Sequence, residues 1–467
     1  MTDWIEKPIA ELAQALRGGG LTARELTEAA IDRHQRFGER LHAYKTWDPD
    51  LARRQAILAD SAFAHGRDLG PLQGIPISIK DIYGVRGYPV FAGSPRRLPG
   101  PWERQGPLVA TLTGQHGVVM GKTHTVEFAY GGLGLNAHWG TPVNPWDAQS
   151  HRAPGGSSAG AGVSLAEGSA LLALGTDTGG SVRVPASLTG AVGLKTTFGR
   201  WPTEGIVPLS STLDTAGILT RTVADAAYAF SAIERALPGR TARTLTARSV
   251  KNLNLAVSEN YFWDRCSEPI AKVVRGAIDA LKSAGAAIQH NALPEAAQAP
   301  DVLAEGAVVA AEVYAHLAAE LPDWIATLDP YVRQRMEDGR QGTTVAYLKA
   351  LARIRRLQAS ANARLLACDA LLVPTVRVTP PRLSDIHDWD SYRIANAAVL
   401  ANVSVVNILG LCALTLPVGL DEHGMPVGLQ LIAAAGRDEA LLETALAVET
   451  VLGTARERIG VAPLTRI

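Results

Sequence analysis

One large α/β domain, a mixed β-sheet covered by helices on both sides, is what this 467-residue sequence predicts. Two textures carry that reading. Short apolar runs punctuated by Gly and Pro recur from Gly74 onward: GIPISIK, GVVMGKT, ALLALGTD, GAVGLKTTFG, DALLVPT and LCALTLPVGL. Segments with helical patterning lie between them, and buried strands alternating with helices imply a sheet packed on both faces. Composition agrees, since 47% apolar and 19% charged residues can bury a substantial core and argue against disorder.

In chain order, the first seventy residues read as helices. Thr22 stands three residues before Glu25 in LTARELTEAAID, the spacing of a capping box, and residues 52–64 mix alanine with alternating apolar and charged positions. Beyond Gly74, helices are expected at 158–173 and 223–235. Residues 255–365 are more polar and mainly helical, from SEPIAKVVRGAIDALKSAG through AYLKALARIRRLQASANARLL. Sheet-like sequence resumes at Asp369, so this stretch reads as a helical insertion rather than a second domain. No Pro/Ser linker, repeat or low-complexity tract divides residues 1–467. Residues 396–420 hold no charge, and about 20 apolar residues span a bilayer. However, Asn402, Ser404 and Asn407 interrupt the run and Gly410 and Pro417 break it. A buried helix running into a buried strand fits it better.

Lys+Arg and Asp+Glu each total 45, so the chain has neither a basic footprint for nucleic acid nor a polybasic membrane patch. Cys266, Cys368 and Cys412 are scattered, with no CxxC and no Cys/His cluster. They read as buried hydrophobes in a reducing compartment. The opening MTDWIEKPIAELAQALRGG has early acids and no apolar h-region, unlike a secretory signal, and a cytoplasmic location is expected.

The most visible motif is a decoy. Gly156-Ser157-Ser158-Ala159-Gly160 matches G-x-S-x-G, but that nucleophile elbow follows a strand, and NPWDAQSHRAP before it is loop. GVVMGKT likewise misses the P-loop, with three bulky apolar residues between its glycines where four residues are needed.

Two glycine–serine clusters remain, PGGSSAGAG at 154–162 and GTDTGGS at 175–181. Such turns let backbone N–H groups converge on negative charge, including a developing oxyanion. Ser181, directly after Gly179-Gly180, is placed like a nucleophile and needs a base. Of eleven histidines, His138 and His151 precede it and His290 follows, none at a strand end or in a Gly-rich turn. A buried lysine serves instead when desolvation disfavours its ammonium. Among nine lysines two qualify. In Ile75-Pro76-Ile77-Ser78-Ile79-Lys80, period-2 alternation sets the isoleucines on one face and Ser78 and Lys80 on the other. Lys195 in GAVGLKTT is comparable, and spacing alone does not choose between them.

The string PGGSSAGAGVSLAEGSALLALGTDTGGSVRVPAS resembles the amidase signature family closely. So do GIPISIKD, KTHTVEFAYGGLGLNAHWGTPVNPWD, the run GLKTTFGR at 193–200 and LPVGLDEHGMPVGLQLI. The likeness covers essentially the whole chain and is least characteristic at 255–365. Ala159 and Ala161 depart from it, standing where many members have Gly or Ser. The resemblance implies the amidase signature fold and a Ser-Ser-Lys triad. In it Ser181 is the nucleophile forming an acyl-enzyme, Lys80 the ultimate base, and Ser157 the relay, with a cis Gly156–Ser157 bond. It also implies an oxyanion hole from the N–H groups of Thr178, Gly179, Gly180 and Ser181. Ala129, Tyr130 and Gly131 would line the acyl or leaving-group pocket. The insertion around 300–350, with Tyr314, Trp324 and Tyr331, would roof the channel or present those rings to solvent. The implied activity is hydrolysis of the C–N bond of a small amide, with no metal or cofactor. Carbamates, hydrazides, ureido compounds or esters are alternatives. A further rival from the same family is the glutaminase component of a tRNA-dependent amidotransferase, although residues 300–420 show no glutamine-specific feature. Expected partners are a small-molecule amide or carbamate and, as an open possibility, a second copy in a homodimer; nucleic acid and membrane are not expected.

Overall fold

Leu-, Val- and Ile-rich runs bounded by Gly or Pro form one mixed sheet in the computed structural model, which describes residues 4–466. Its first six strands are β1 (Tyr44–Trp47), β2 (Pro76–Lys80), β3 (Val118–Thr123), β4 (Leu172–Asp177), β5 (Val192–Lys195) and β6 (Thr215–Thr220). The other five are β7 (Asn254–Val257), β8 (Ala287–His290), β9 (Ala370–Pro374), β10 (Cys412–Leu420) and β11 (Pro426–Ala433). The order across the 11-stranded sheet is β1-β3-β2-β4-β6-β5-β10-β11-β9-β7-β8. β2 runs parallel to both β3 and β4, whereas β6, β5, β10 and β11 pair antiparallel with their neighbours.

The period-2 geometry of the strands splits the core in two. Leu372, Leu414 and Leu431 face a large apolar cluster that takes Ile270, Val274 and Leu281 from the helix Glu268–Ser283. Their neighbours Leu371, Ala413 and Ile432 face a second cluster that takes Val302, Ile354 and Val405 from other helices. The sheet is therefore covered on both sides, as expected.

Four helices matter for the site: α1 (Ala159–Glu167), α2 (Arg183–Thr189), α3 (Val308–Glu320) and α4 (Pro330–Gln341). α1 is shorter than the 158–173 expected, because Gly168 caps it in the left-handed conformation and Leu172 already belongs to β4. The capping box at Thr22 is present on the helix Ala23–Leu41, and Val223–Ala236 forms where expected. Two expectations need correction. The helical first seventy residues also contain β1, and the 255–365 insertion contributes β7 and β8 to the end of the sheet. These strands have four residues each, too short to show a period. The uncharged 396–420 stretch is the end of the helix Trp389–Ile408 followed by β10, a buried helix running into a buried strand. Among the described residues one stretch, Glu295–Glu320, is long and apolar enough to cross a membrane, and Ala307 at φ 45° breaks it into two helices.

Candidate active site

Parallel β2 and β4 are in register from Ile77↔Leu172 to Ile79↔Leu174, so their carboxyl ends lie side by side. In α/β sheets that edge is where ligands bind. Lys80, the last residue of β2, is fully buried there. Its Nζ lies 2.7 Å from Ser157 Oγ and 2.8 Å from Thr176 Oγ1. Burial pulls the Lys80 pKa from 10.5 down to about 7, against the opposing charges of Asp214 and Asp177. Lys80 is thus poised to exchange a proton near neutrality.

Ser157 precedes α1, and the Gly156–Ser157 bond is cis, as the resemblance implied. Ser157 O accepts from Val126 N–H at 3.1 Å, fastening this turn to the loop that carries Ala129, Tyr130 and Gly131. Ser181 lies in the turn between β4 and α2 and is 5% exposed. Its carbonyl accepts from Ser158 N–H at 3.2 Å, joining the two glycine–serine turns. Lys80 and Ser157 are in direct contact, whereas no hydrogen bond links Ser157 to Ser181, and Ser181 Oγ has no partner among the described residues.

Asp177 shapes the 178–181 turn. Its Oδ1 accepts from Gly180 N–H at 2.8 Å and its Oδ2 from Val182 N–H at 3.1 Å, while Arg183 binds both oxygens at 2.8 and 3.0 Å. Burial opposes ionisation, yet the Arg183 guanidinium holds the Asp177 carboxyl well below the usual carboxylate range. Arg183 also donates to Gln430 and Asn407, both at 2.6 Å, so turn, helix and strand meet in one buried network. Asp177→Asn should therefore destabilise the fold by about 3–5 kcal/mol, the cost of leaving one charge of a buried pair uncompensated. Urea unfolding of the variant beside wild type measures this.

Gly180 has φ 122°, and a Cβ there would come 2.2 Å from Val403 Cγ2, so only glycine fits. Its N–H is committed to Asp177, which removes Gly180 from the four oxyanion donors expected above. The N–H groups of Gly179 and Ser181 have no acceptor among the described residues. Both residues, with Thr178, line a cavity of about 330 Å³.

Ala129, Tyr130 and Gly131 line the same cavity. The insertion roofs it, but through Pro300, Leu303, Ala307 and Ala310 and, on α4, Arg335 and Asp338. The three insertion aromatics do not contribute. Trp324 lies under Arg96 at 4.3 Å, Tyr331 stacks on Tyr392 at 4.3 Å, and Tyr314 packs at the margin of the core. Arg335 covers the Tyr130 ring at 3.9 Å and donates to Tyr130 O at 3.0 Å. No carboxylate of the described residues lies within ion-pair distance of its guanidinium.

The competing readings lose their geometry. Ser158 is fully buried and donates to Thr176 O at 3.4 Å. Lys195 Nζ donates to Thr196 O and Leu411 O, at 2.9 and 2.8 Å, and touches no serine. Thr176, Asp177, Asp214 and Arg335 do not stand out in the sequence. An Asp and an Arg bracketing the lean GTDTGGSVR run are the one available signal, because buried charge demands a partner. Asp214 and Arg335 acquire meaning only from what folds against them.

Fold and site define a hydrolase acting on C–N bonds. The chain belongs to the amidase family, whose model matches residues 25–442. It is 50% identical over 456 residues to the 2-amino-5-chloromuconic acid deaminase of Comamonas testosteroni, covering 98% of each chain. It is 33% identical over 486 residues to a glutamyl-tRNA(Gln) amidotransferase subunit of Desulfotalea psychrophila, covering 96% of this chain and 97% of that one. An amidase of known structure matches with a TM-score of 0.86 at 30% identity, covering 96% of this chain and 100% of that chain.

Proposed function

We propose that this hydrolase cleaves the C–N bond of a small, carboxylate-bearing amide through an acyl-enzyme, with Ser181 as nucleophile, Ser157 as relay and Lys80 as base. The observation that carries the reading is the buried Lys80 Nζ, 2.7 Å from Ser157 Oγ, at the end of the strand beside the Ser181 turn. Neutral Lys80 takes the Ser157 proton as Ser157 takes that of Ser181, and Ser181 Oγ attacks the acyl carbon. The N–H groups of Gly179 and Ser181, beside Thr178, receive the oxyanion. Lys80 then returns its proton through Ser157 to the departing nitrogen. Water, deprotonated along the same route, releases the acid and restores Ser181.

Arg335 supplies the substrate class. A guanidinium lining the cavity with no carboxylate partner fits a substrate carboxylate, which it can hold by paired N–H donors. Arg335→Met should raise KM for a carboxylate-bearing substrate about 10- to 150-fold, the worth of a charge-assisted hydrogen bond of about 1.5–3 kcal/mol. It should leave kcat, and KM for a neutral amide, within a few-fold. Steady-state kinetics on the two substrates check this.

The Comamonas relative favours a second reading, hydrolytic deamination of a conjugated 2-amino carboxylic acid. There water, deprotonated by Lys80 through Ser157, adds to the C=N carbon of an imine tautomer, and the same route returns the proton with which ammonia departs, leaving a 2-oxo acid. Ammonia release by the purified chain separates the readings when measured on 2-amino-5-chloromuconic acid, on carboxylate-bearing and neutral amides, and on glutamine. Turnover of glutamine alone would support the amidotransferase reading instead.

A further inference from the structure

We infer that Asp214 is a positioning residue of this machinery: it fastens the oxyanion turn to the wall of the substrate cavity and, from a second cleft, sets the charge balance around Lys80. The inference rests on Lys80 being the base, as proposed above.

Asp214 lies at the entry to β6, with each carboxylate oxygen assigned a task. Oδ1 accepts from the Thr178 hydroxyl at 2.5 Å, and Oδ2 accepts from the N–H groups of Leu209 and Ser210 at 2.9 and 3.0 Å. Thr178, Leu209 and Leu213 all line the substrate cavity. One carboxylate therefore ties the turn beside Ser181 to another stretch of the cavity wall. The same loop is fastened outward to the roof, because Ser210 and Thr212 donate to Glu312 of α3.

Asp214 also lines a separate cleft of about 320 Å³ with Thr176, Trp201, Glu204 and Thr215, to which neither Ser157 nor Ser181 contributes. Thr176 is the second partner of Lys80 Nζ, at 2.8 Å. Lys80 thus touches Ser157, in the turn joined to that of Ser181, and Thr176, which lines the second cleft.

The charged and titratable groups around Asp214 are few. Lys80 and Tyr83 approach from β2 and the segment after it, and Asp177 from β4. Glu204 lies on the cleft wall and Glu312 on α3. Asp177 is already committed to Arg183, and the Tyr83 hydroxyl donates to Gly175 O at 2.7 Å. Asp214 has no cation paired to it by contact among the described residues, and after burial its charge is the strongest influence on Lys80, ahead of Asp177. Its own carboxyl is raised by burial to about 6, against its hydrogen bonds and Lys80. The balance serves the reaction. Burial alone drives a lysine toward permanent neutrality, yet this one must hold a proton and surrender it to a leaving nitrogen. A nearby anion keeps the ammonium form within reach.

The test follows the rate at which phenylmethanesulfonyl fluoride labels Ser181 across pH, on the full chain, for wild type, Asp214→Asn, Thr178→Val and Lys80→Ala. Asp214→Asn keeps the shape and removes the charge. The acid limb should move down by about one unit, the scale of losing a neighbouring opposite charge, so the ratio of rates at pH 6 and pH 8 rises several-fold even as the plateau falls. Thr178→Val, which removes only the anchor, should lower the plateau and leave the limb in place. Asp214→Ser removes the same charge and must shift the limb in the same direction where the Asn variant does not fold. A limb that stays put or moves up in the charge-removing variants overturns the inference while leaving Lys80 as base. A limb that survives unchanged in Lys80→Ala overturns both.

Discussion

Ser181→Ala is expected to abolish turnover, by on the order of 10⁵- to 10⁶-fold, the scale seen when the nucleophile of a serine-based unit is removed. The fold should not notice. Ser181 Oγ has no hydrogen-bond partner among the described residues, so its removal orphans nothing, and alanine fits the same space. Unfolding free energy should stay within about ±0.5 kcal/mol of wild type. A fluorophosphonate should label wild type at Ser181, located by peptide mass spectrometry, and leave the variant unlabelled. Label on Ser158 would restore the G-x-S-x-G reading, which its burial against Thr176 O argues against.

How much of this site is legible in the sequence depends on what each residue needs in order to be recognised. Lys80 stands out because IPISIK ends an apolar strand in a charge, and the strand is buried on both faces. Lys195 ends β5 in the same way, which is why spacing does not separate them. What separates them is tertiary: the Lys195 ammonium is satisfied by two carbonyls, whereas Lys80 meets two hydroxyls. The glycine turns are legible as turns, but which N–H groups remain free depends on the Asp177 carboxylate, and it takes one of the four expected. The roof is legible as helical, since α3 (VVAAEVYAHLAAE) is rich in alanine, the best helix former. Its lining is not, because small residues such as Ala307 and Ala310 face the cavity while the conspicuous aromatics pair with Arg96 and Tyr392. β7 and β8 escape a sequence reading for a simpler reason: four residues at the end of a sheet carry no period to read.

Arg335 and Asp214 divide the electrostatic work. Arg335 brings to the cavity wall a positive charge with no carboxylate in ion-pair contact, which a substrate carboxylate would neutralise. Asp214 brings negative charge to the surroundings of Lys80. Each sits on an element that also forms the cavity wall, so binding and proton handling share one scaffold.

Lys80→Ala gives the sharpest expected result, because it alters rate and pH dependence together. A base must be neutral to act, and burial brings the Lys80 pKa down to about 7 from its ordinary 10.5. Below that value Lys80 is an ammonium and is unable to accept the Ser157 proton. Above it the amine is free, so wild-type activity should rise through about pH 7 and level off on the alkaline side. Lys80→Ala should lose at least about 10²- to 10⁴-fold, the worth of a general base, and more to the extent that lysine and serines act as one unit. Its residual activity should lack the rise near neutrality and the plateau, and sulfonyl fluoride labelling of Ser181 should slow in parallel. Lys195→Ala is the matched control. It removes an equally buried ammonium and strands the carbonyls of Thr196 and Leu411 without touching a serine. It should therefore cost stability, about 1–3 kcal/mol for buried groups left unsatisfied, and leave the pH profile of the surviving activity where it was. If Lys80→Ala kept near-normal turnover while substitution of a histidine erased it, the assignment of Lys80 as base would be wrong.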